Sequence, residues 1–274
     1  MRRALAVAGV LLLLVVFLAA RFPWARLVPR LLETARGETG AEIRLDDFGL
    51  GLGWGGPQVV AQGVVLRWPG TEALALDRVT LRPAWSLAWL RGHPLWHLEA
   101  SGPPGSWRGE LALDRVSGDL AGIDVAALPW GLLGAPAPLS GRVSGNVDLA
   151  RVDGAWRGSA RLEGEPGSVD LEGLPVAIPY EQLVAQLEFA PEVVRLGQAR
   201  LAGPMVTASF TGTANAVGGA FSSWPLDLEV EIEQIDPALK NYLIPLGIPV
   251  DPEGRGHLQV TGSLSAPFLS GGRH

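Results

Sequence analysis

A glycine motif early in the chain has the spacing of a dinucleotide-binding loop. Gly51, Gly53 and Gly56 satisfy the pattern G-x-G-x-x-G. In nucleotide-binding folds this loop leads into a helix whose N-terminus faces the phosphates. Here Pro57 follows the motif, and the stretch Val59 to Trp68 has the composition of a strand. The sequence therefore predicts a glycine-rich turn and no nucleotide site.

Histidine and aspartate pairs are the candidates for metal binding. His93 and His97 have the i, i+4 spacing of two zinc ligands, but Pro94 lies between them and the glutamate of H-E-x-x-H is missing. Asp46 and Asp47 end a strand beside the glycine motif, whereas a calcium site needs about six to eight oxygen ligands. We interpret the histidines as surface residues and the aspartates as a solvated turn, and we predict no metal site.

The commonest catalytic signatures are missing from the sequence. The chain has no cysteine, which removes thiol nucleophiles, thiolate metal sites and disulfides. It has no G-x-S-x-G nucleophile elbow and no Walker phosphate loop, and its single lysine, Lys240, lies in no glycine-rich loop. We therefore predict a protein that is not an enzyme, with no catalytic residue and no cofactor.

Composition limits the partners that the chain can have. Its 274 residues are 47% hydrophobic and 18% charged, which is enough to bury a sizeable core. The formal charge is −6 and no basic stripe occurs, so nucleic acid is a poor partner. Ten tryptophans stand against two tyrosines. They could form a sugar-stacking platform, line the rim of a lipid-facing groove or pack in a core.

The N-terminus contains an apolar run that predicts membrane insertion. Residues 4–20 are apolar throughout and lie between Arg3 and Arg21. The run is at the short limit for membrane-spanning helices, which need roughly 17–25 residues, and aromatic residues follow it. A cleaved signal peptide, which usually has a shorter apolar region, is the alternative. We expect residues 1–23 to be an uncleaved signal anchor and residues 24–40 to be an amphipathic helix.

The rest of the chain, residues 41–274, has the pattern of β-strands separated by glycine and proline. In Leu226 to Ile232, apolar residues take every second position, with acidic residues between them. This alternation predicts a strand with one dry face and one wet face. Similar stretches recur about a dozen times, far above the usual 20–25% strand content, and Asp236 and Pro237 mark the start of a short helix. We predict a mainly β chain with a few short helices.

Two of these strands share a spacing of glycine and apolar residues. Gly141 to Leu149 and Gly256 to Leu264 both place glycine on the same face as valine and leucine. Glycine there makes room for a strongly curved sheet or for a ligand close to the backbone, and an ordinary bulge is the alternative. Both strands follow a helix or a proline-rich break, which suggests two related halves, residues 41–138 and 139–274.

Taken together, these stretches resemble the type II secretion system protein N family. The resemblance is carried by the N-terminal anchor, the glycine-rich stretch Leu50 to Val65, the strand LDRVTLRP (Leu76 to Pro83) and the closing GRGHLQVTGSLSAP (Gly254 to Pro267). That family is similar to the AsmA-like envelope proteins, whose C-terminal strands often end in T-G-[ST]-L-x-x-P, here Thr261 to Pro267.

The resemblance implies a single-pass protein of the bacterial inner membrane whose periplasmic part is a long, curved antiparallel sheet with an apolar groove. It implies a role in type II protein secretion, with secretion-system proteins as partners. The AsmA-like group instead implies phospholipid transport or envelope biogenesis. A carbohydrate-binding envelope module is a further alternative, suggested by the tryptophans. The resemblance implies no catalytic residue.

The candidate groove residues are the apolar members of three alternating strands. They would line an open face for an acyl chain or a partner segment, or they would fill the core of a closed sandwich. An open sheet edge could also recruit a protein partner by strand addition. The candidates are Val143, Val147, Leu149, Leu226, Leu228, Val230, Ile232, Leu258, Val260 and Leu264.

Overall fold

The structure is a computed structural model that describes residues 33, 36, 40–53, 56–69, 71–84, 94–133, 139–170, 177–216, 223–243 and 250–271. The expected anchor, residues 1–23, lies outside these residues, as does most of the expected helix 24–40, of which Glu33 and Arg36 are helical. No helix in the described part of the chain is long and apolar enough to cross a bilayer.

Besides the helical residues Glu33 and Arg36, the described residues form strands β1 to β18, two short 3-10 helices and the α-helix α1. The strands are β1 (Glu42–Arg44), β2 (Asp47–Gly53), β3 (Gly56–Arg67), β4 (Leu74–Pro83), β5 (Trp96–Gly102), β6 (Gly105–Ala112), β7 (Arg115–Asp124), β8 (Leu139–Ser140), β9 (Arg142–Val152), β10 (Ala155–Gly164), β11 (Gly167–Val169), β12 (Ile178–Tyr180), β13 (Gln182–Ala190), β14 (Val193–Ala202), β15 (Val206–Asn215), β16 (Pro225–Ile235), β17 (Gly256–Ser263) and β18 (Ala266–Gly271). The helices are the 3-10 turns Val125–Ala127 and Trp130–Leu133, and α1 (Pro237–Leu243).

Most of these strands belong to one 15-stranded antiparallel sheet. Its order is β1-β3-β4-β5-β6-β7-β9-β10-β13-β14-β15-β16-β17-β18, and β2 also pairs with β3. The remaining strands form a small sheet in the order β12-β11-β8. The prediction of a mainly β chain with one large antiparallel sheet and few helices is confirmed for the described residues. Since β7 pairs with β9, the sheet continues across the proposed boundary between residues 138 and 139.

Each strand of the large sheet has two ends, and successive connections alternate between these ends. The connections therefore lie along two opposite sides of the sheet, and we name each of these sides an edge. At one edge, which we name the hairpin edge, lie tight turns that include Leu113–Asp114, Asp153–Gly154 and Leu264–Ser265. At the other, the helix edge, lie both 3-10 helices, the small sheet and α1. The chain enters β1 at the helix edge, because Glu42 is paired with Arg67 at the C-terminal end of β3.

Several strands of the large sheet contain a register shift near the helix edge. In β16, Glu233 and Gln234 are both exposed, and the buried positions step from Ile232 to Ile235. A similar shift falls in β7, where Gly122 has a φ of 58°. An extra residue of this kind bends a strand and increases its twist.

The main hydrophobic cluster lies at the C-terminal end of the large sheet. Leu239 of α1 is 1% exposed and packs with Ile178 of β12 and with Val230, Ile232 and residues of neighbouring strands. The predicted helix start is confirmed, because Pro237 is the first residue of α1. The carbonyl of Asp236 then accepts hydrogen bonds from two amides in the first turn. This end of the sheet therefore has a covered, filled core.

The small sheet is held by a buried tyrosine. The Tyr180 hydroxyl donates a hydrogen bond of 2.7 Å to the carbonyl oxygen of Ser140, and it lies where a side chain on Gly167 would collide with it. The hydroxyls of Ser140 and Ser168 are 2.8 Å apart. Burial raises the pKa of the Tyr180 phenol above its usual value.

Replacing Tyr180 with phenylalanine should lower the free energy of unfolding by about 1 kcal/mol at neutral pH, because one buried hydrogen bond is lost. The raised pKa also means that the folded state holds the phenolic proton more tightly than the unfolded chain does. That contribution is complete below pH of about 10 and is lost as the pH rises through the folded-state pKa. Urea unfolding should show that the free energy of unfolding of the native protein falls between neutral and alkaline pH, and that the fall is smaller in Tyr180→Phe. The matched control is Tyr242→Phe, since Tyr242 is 48% exposed.

Candidate apolar binding face

An apolar row crosses the large sheet from one edge strand to the other. Directly opposed residues of antiparallel strands lie on the same face, so the register defines the row. Its members, in order from β2 to β18, are Leu50, Val59, Leu81, Leu98, Gly109, Gly118, Val147, Ala160, Leu187, Leu196, Gly212, Leu228, Val260 and Leu269. Every member is apolar or glycine.

A second row runs beside the first on the same face. Its members are Phe48, Ala61, Val79, Ala100, Trp107, Leu120, Gly145, Leu162, Ala185, Ala199, Phe210, Val230, Leu258 and Gly271. Neighbouring strands lie about 4.8 Å apart, so each row follows the sheet for roughly 60 Å. We name the face that carries both rows the apolar face.

The middle of the apolar face is only partly shielded from solvent. Leu98, Val147, Leu187 and Leu196 are all half-buried. In the described ranges the buried hydrophobic cluster lies at the C-terminal end of this face, where α1 and β12 cover it, whereas the four side chains named above stay half-buried.

The ten candidate groove residues occupy different places on this face. Those on β16 and β17 pair directly, as Leu228 does with Val260 and Val230 with Leu258, while four strands separate those on β9 from β16. Val143, Val230, Ile232 and Leu258 are buried, and the half-buried candidates are Val147, Leu149, Leu226, Leu228, Val260 and Leu264. Leu264 lies in the turn after β17, and its amide donates to the Trp224 carbonyl.

The groove residues predicted from the sequence do not include most of the residues in the middle of the two rows. Leu98, Leu187 and Leu196 alternate with polar residues in their own strands, so the signal was present in the sequence. Their place in one row depends on the register between strands, which alternation within a strand does not specify.

No protein family, curated protein or solved structure matches this chain. The two apolar rows are therefore the observation from which a function has to be inferred. An apolar surface of this length can hold an apolar ligand by excluding water, and it needs no specific polar partner to do so.

Glycines on the apolar face let other groups approach the backbone closely. A methyl group added at Gly145, Gly158 or Gly212 would collide with a carbonyl oxygen of the neighbouring strand. At Gly109 and Gly118, which oppose each other, the added methyl would collide with backbone of the adjacent strand and also contact the indole ring of Trp107. The space next to these glycines is thus taken by the protein itself.

The described tryptophans do not form an exposed row. Trp96 and Trp107 are half-buried on the apolar face, and Trp68, Trp130 and Trp224 are half-buried elsewhere. Trp156, at the hairpin edge, is the exposed one among those that the structure describes. The remaining tryptophans of the strand region, at positions 54, 85 and 89, lie outside the described residues.

The opposite face of the sheet is polar and carries ion pairs between neighbouring strands. Glu99 lies 3.4 Å from Arg108 and 3.9 Å from Arg82, and Arg115 lies 3.2 Å from Asp148. Such exposed pairs contribute little to stability, about 0–1 kcal/mol each. Two open clefts of about 570 and 460 Å³ on this face are lined mainly by polar and charged side chains. The sheet is therefore wet on one face and apolar on the other.

The glycine motif lies in the hairpin of β2 and β3, with Gly51 and Gly53 on β2 and Gly56 at the start of β3. The side chain of Gln58 lies against Gly51 and Gly53 on the polar face of the sheet. The predicted strand after the motif is confirmed by β3, so no helix N-terminus follows the glycines. The motif thus has strand geometry on both sides.

The polar candidates for metal binding also lie in ordinary strand and turn positions. Asp46 packs its carboxylate over Gly63, which has a φ of 57°. His97 lies on β5 with its Nδ1 3.6 Å from Glu110, and His93 lies outside the described residues. In the part of the chain that the structure describes, no three His, Asp or Glu side chains come together as metal ligands.

Proposed function

We propose that this chain is a non-enzymatic protein of the bacterial envelope whose apolar face shelters the acyl chains of phospholipids in the periplasm. The observation that carries the proposal is the pair of uninterrupted apolar rows, half-buried in the middle of the sheet. Soluble monomers rarely expose continuous apolar patches larger than a few hundred square ångströms, and larger ones usually bind something. The expected N-terminal anchor would hold the protein at the inner membrane.

The length and chemistry of the rows suit an acyl chain. At roughly 60 Å, each row is about twice the 30 Å thickness of the hydrocarbon core of a bilayer. Burying each CH₂ contributes roughly 0.8 kcal/mol, so ten of them supply about 8 kcal/mol before the cost of ordering the chain. The charged residues of the opposite face would keep the sheet hydrated while the ligand is bound.

Local geometry supports the proposal that the large sheet is curved. The register shifts in β7, β14 and β16 bend those strands. Gly145, Gly158 and Gly212 let neighbouring strands approach closely, as bent strands must. A sheet that curves toward its apolar face would form the groove of an AsmA-like protein.

A second candidate function is that of a type II secretion component that binds a protein segment. The observation in its favour is the edge strand β18, where Phe268 is 66% exposed and Leu269 is 51% exposed. An open edge of this kind can accept an additional strand from a partner. The third hypothesis, carbohydrate binding, has no comparable support, because the described tryptophans form no stacking platform.

Photo-crosslinking from the centre of the first row tests the lipid proposal. We expect a benzophenone amino acid at Leu187 to form a phospholipid adduct in cells, because this side chain lies on the apolar face. The same amino acid at Glu188, the next residue of β13, should form none, because Glu188 is exposed on the polar face. Mass spectrometry of the irradiated, purified chain reads out both adducts.

The adducts also separate the candidate functions. A polypeptide adduct from position 187 would favour the secretion role and contradict the lipid proposal. Equal lipid adducts at positions 187 and 188 would mean that the apolar face has no preference for lipid, and the proposal would be wrong.

A further inference from the structure

Large apolar side chains are exposed on two neighbouring hairpins at the hairpin edge, with Val152 on the polar side of the sheet and Trp156 on the apolar side. Leu113, in the turn between β6 and β7, is 86% exposed, Val152 at the end of β9 is 44% exposed, and Trp156 near the start of β10 is 39% exposed. Scattered exposed hydrophobic residues are ordinary, whereas a cluster marks a surface that contacts something apolar.

These side chains belong to two hairpin tips that are joined to each other. The Arg151 amide donates a hydrogen bond of 2.7 Å to the carbonyl of Asp114, which links the β6–β7 turn to the β9–β10 hairpin. Arg151 is paired in turn with Trp156 across that hairpin. We name the two linked turns, Leu113–Asp114 and Asp153–Gly154, with their flanking residues, the paired tips.

The paired tips are continuous with the apolar face. Trp156 is followed on β10 by Gly158, Ala160 and Leu162 at every second position, and these residues belong to the apolar side of the strand. An acyl chain that reached the indole of Trp156 would therefore meet the apolar face next, beside Arg151, whose Nε donates a hydrogen bond of 3.0 Å to the Gly154 carbonyl.

Arginines flank the exposed apolar residues of the paired tips. They are Arg115, Arg151 and Arg157, with Asp114 and Asp153 in the two turns and Asp148 paired with Arg115 at 3.2 Å. The local charge is thus balanced, three positive against three negative, in a chain whose formal charge is −6. Arginine next to tryptophan and leucine is the combination that favours the headgroup region of a bilayer.

A bilayer explains this patch better than a second copy of the chain does. A stable protein interface usually buries about 800 Å² on each partner, with complementary shape. Three side chains at the ends of two turns offer far less area. Insertion into a lipid surface needs no complementary shape, and its strength grows with the few apolar side chains that enter.

We propose that the paired tips insert into the surface of a phospholipid bilayer and are the place where acyl chains pass onto the apolar face. This inference rests on the proposed lipid-sheltering function and names the surface from which the lipid comes. Because the chain enters β1 at the helix edge, the paired tips lie at the ends of the strands opposite to that point of entry.

A fluorescent probe at the tips tests the proposal on the full-length chain. The chain has no cysteine, so Leu113→Cys provides a single site for the environment-sensitive dye NBD. The labelled protein is held in amphipol and mixed with vesicles of phosphatidylcholine and phosphatidylglycerol, with or without a spin-labelled lipid. We expect a blue shift on adding vesicles and roughly twofold quenching by the spin label, as for a side chain within the headgroup and acyl boundary.

The matched control is Leu128→Cys, because Leu128 is also an exposed leucine, at 37%, but lies at the helix edge. Its dye should show no quenching. Equal quenching at positions 113 and 128, or no change at position 113, would overturn the proposal. A blue shift without quenching by the spin-labelled lipid would also overturn it, because it would mean burial against protein.

The Leu187 photo-adduct distinguishes failure of this inference from failure of the proposed function. If position 187 still forms its lipid adduct while the NBD fluorescence at position 113 does not change on adding vesicles, the apolar face holds lipid but the paired tips do not collect it. If neither responds, both proposals are wrong.

Discussion

Glutamate at both Leu98 and Leu187 should abolish phospholipid binding while the sheet stays folded. Both side chains are half-buried members of the first row and lie outside the buried cluster around Leu239, so carboxylates at these positions can stay in contact with water in the lipid-free protein. A bound acyl chain would have to strip water from these charges, at a cost of several kcal/mol. We expect lipid occupancy to fall by more than about 100-fold, measured as phospholipid per chain by native mass spectrometry.

The control for this variant uses the same two strands and the opposite face. Ser101→Glu and Gln186→Glu add the same charges to β5 and β13, at exposed positions on the polar side. This pair should retain the lipid content of the native chain. A folded Leu98→Glu, Leu187→Glu protein that also retained its lipid would show that the apolar face is not the binding surface.

Val230→Glu should have the opposite effect and unfold the protein. Val230 is 7% exposed and packs in the cluster around Leu239, where a carboxylate would have no cation beside it among the cluster's apolar side chains. Burying an unpaired charge there should cost at least about 4 kcal/mol, a large part of the 5–15 kcal/mol that stabilises a typical domain. Thermal and urea unfolding followed by circular dichroism would measure this loss. The control is Glu229→Gln, the exposed neighbour on the same strand.

Together these variants separate the half-buried middle of the sheet from its covered end. Leu239→Ala should also lower the free energy of unfolding, by about 2–5 kcal/mol, because it leaves a cavity in the same cluster. If Val230→Glu were as stable as the native chain, the cluster around Leu239 would not be the stabilising core of this end of the sheet.

The mainly β fold class was predictable from the sequence, because apolar and polar residues alternate within single strands. Leu226 to Ile232 alternates without a break, and it lies within β16 as expected. The start of α1 was also predictable, because Asp236 and Pro237 combine a turn residue with the fixed φ of proline. These signals depend on residues close together in the chain.

Features that depend on backbone strain or on distant residues were not predictable in the same way. The stretch Leu139 to Leu149 reads as one strand, but Gly141, with a φ of 118°, divides it between β8 of the small sheet and β9 of the large sheet. Asp124 has the character of a helix N-cap, but the segment that follows it forms two 3-10 turns on either side of Pro129. Proline lacks the amide that a continuous helix would need at that point.

The apolar residues of the site were predictable one by one, whereas the continuity of their rows was not. Val147 and Leu228 were candidates because each alternates with polar neighbours. That both belong to one row, with Leu187 and Leu196 between them, follows from the strand register and from the bulge that separates Leu196 from Ala199. A bulge leaves little trace in the local pattern, since it only shifts the alternation by one residue.

The strand order of the large sheet makes its length adjustable in units of one hairpin. Nearly every strand pairs with the strands before and after it in the chain, so each hairpin depends mainly on its immediate neighbours. Stability in such an arrangement is approximately the sum of local units and the interfaces between them, as in repeat proteins. Deleting or inserting one hairpin would therefore change each apolar row by two residues, or roughly 10 Å, without altering the rest of the row. The length of the apolar face is thus set by the number of hairpins.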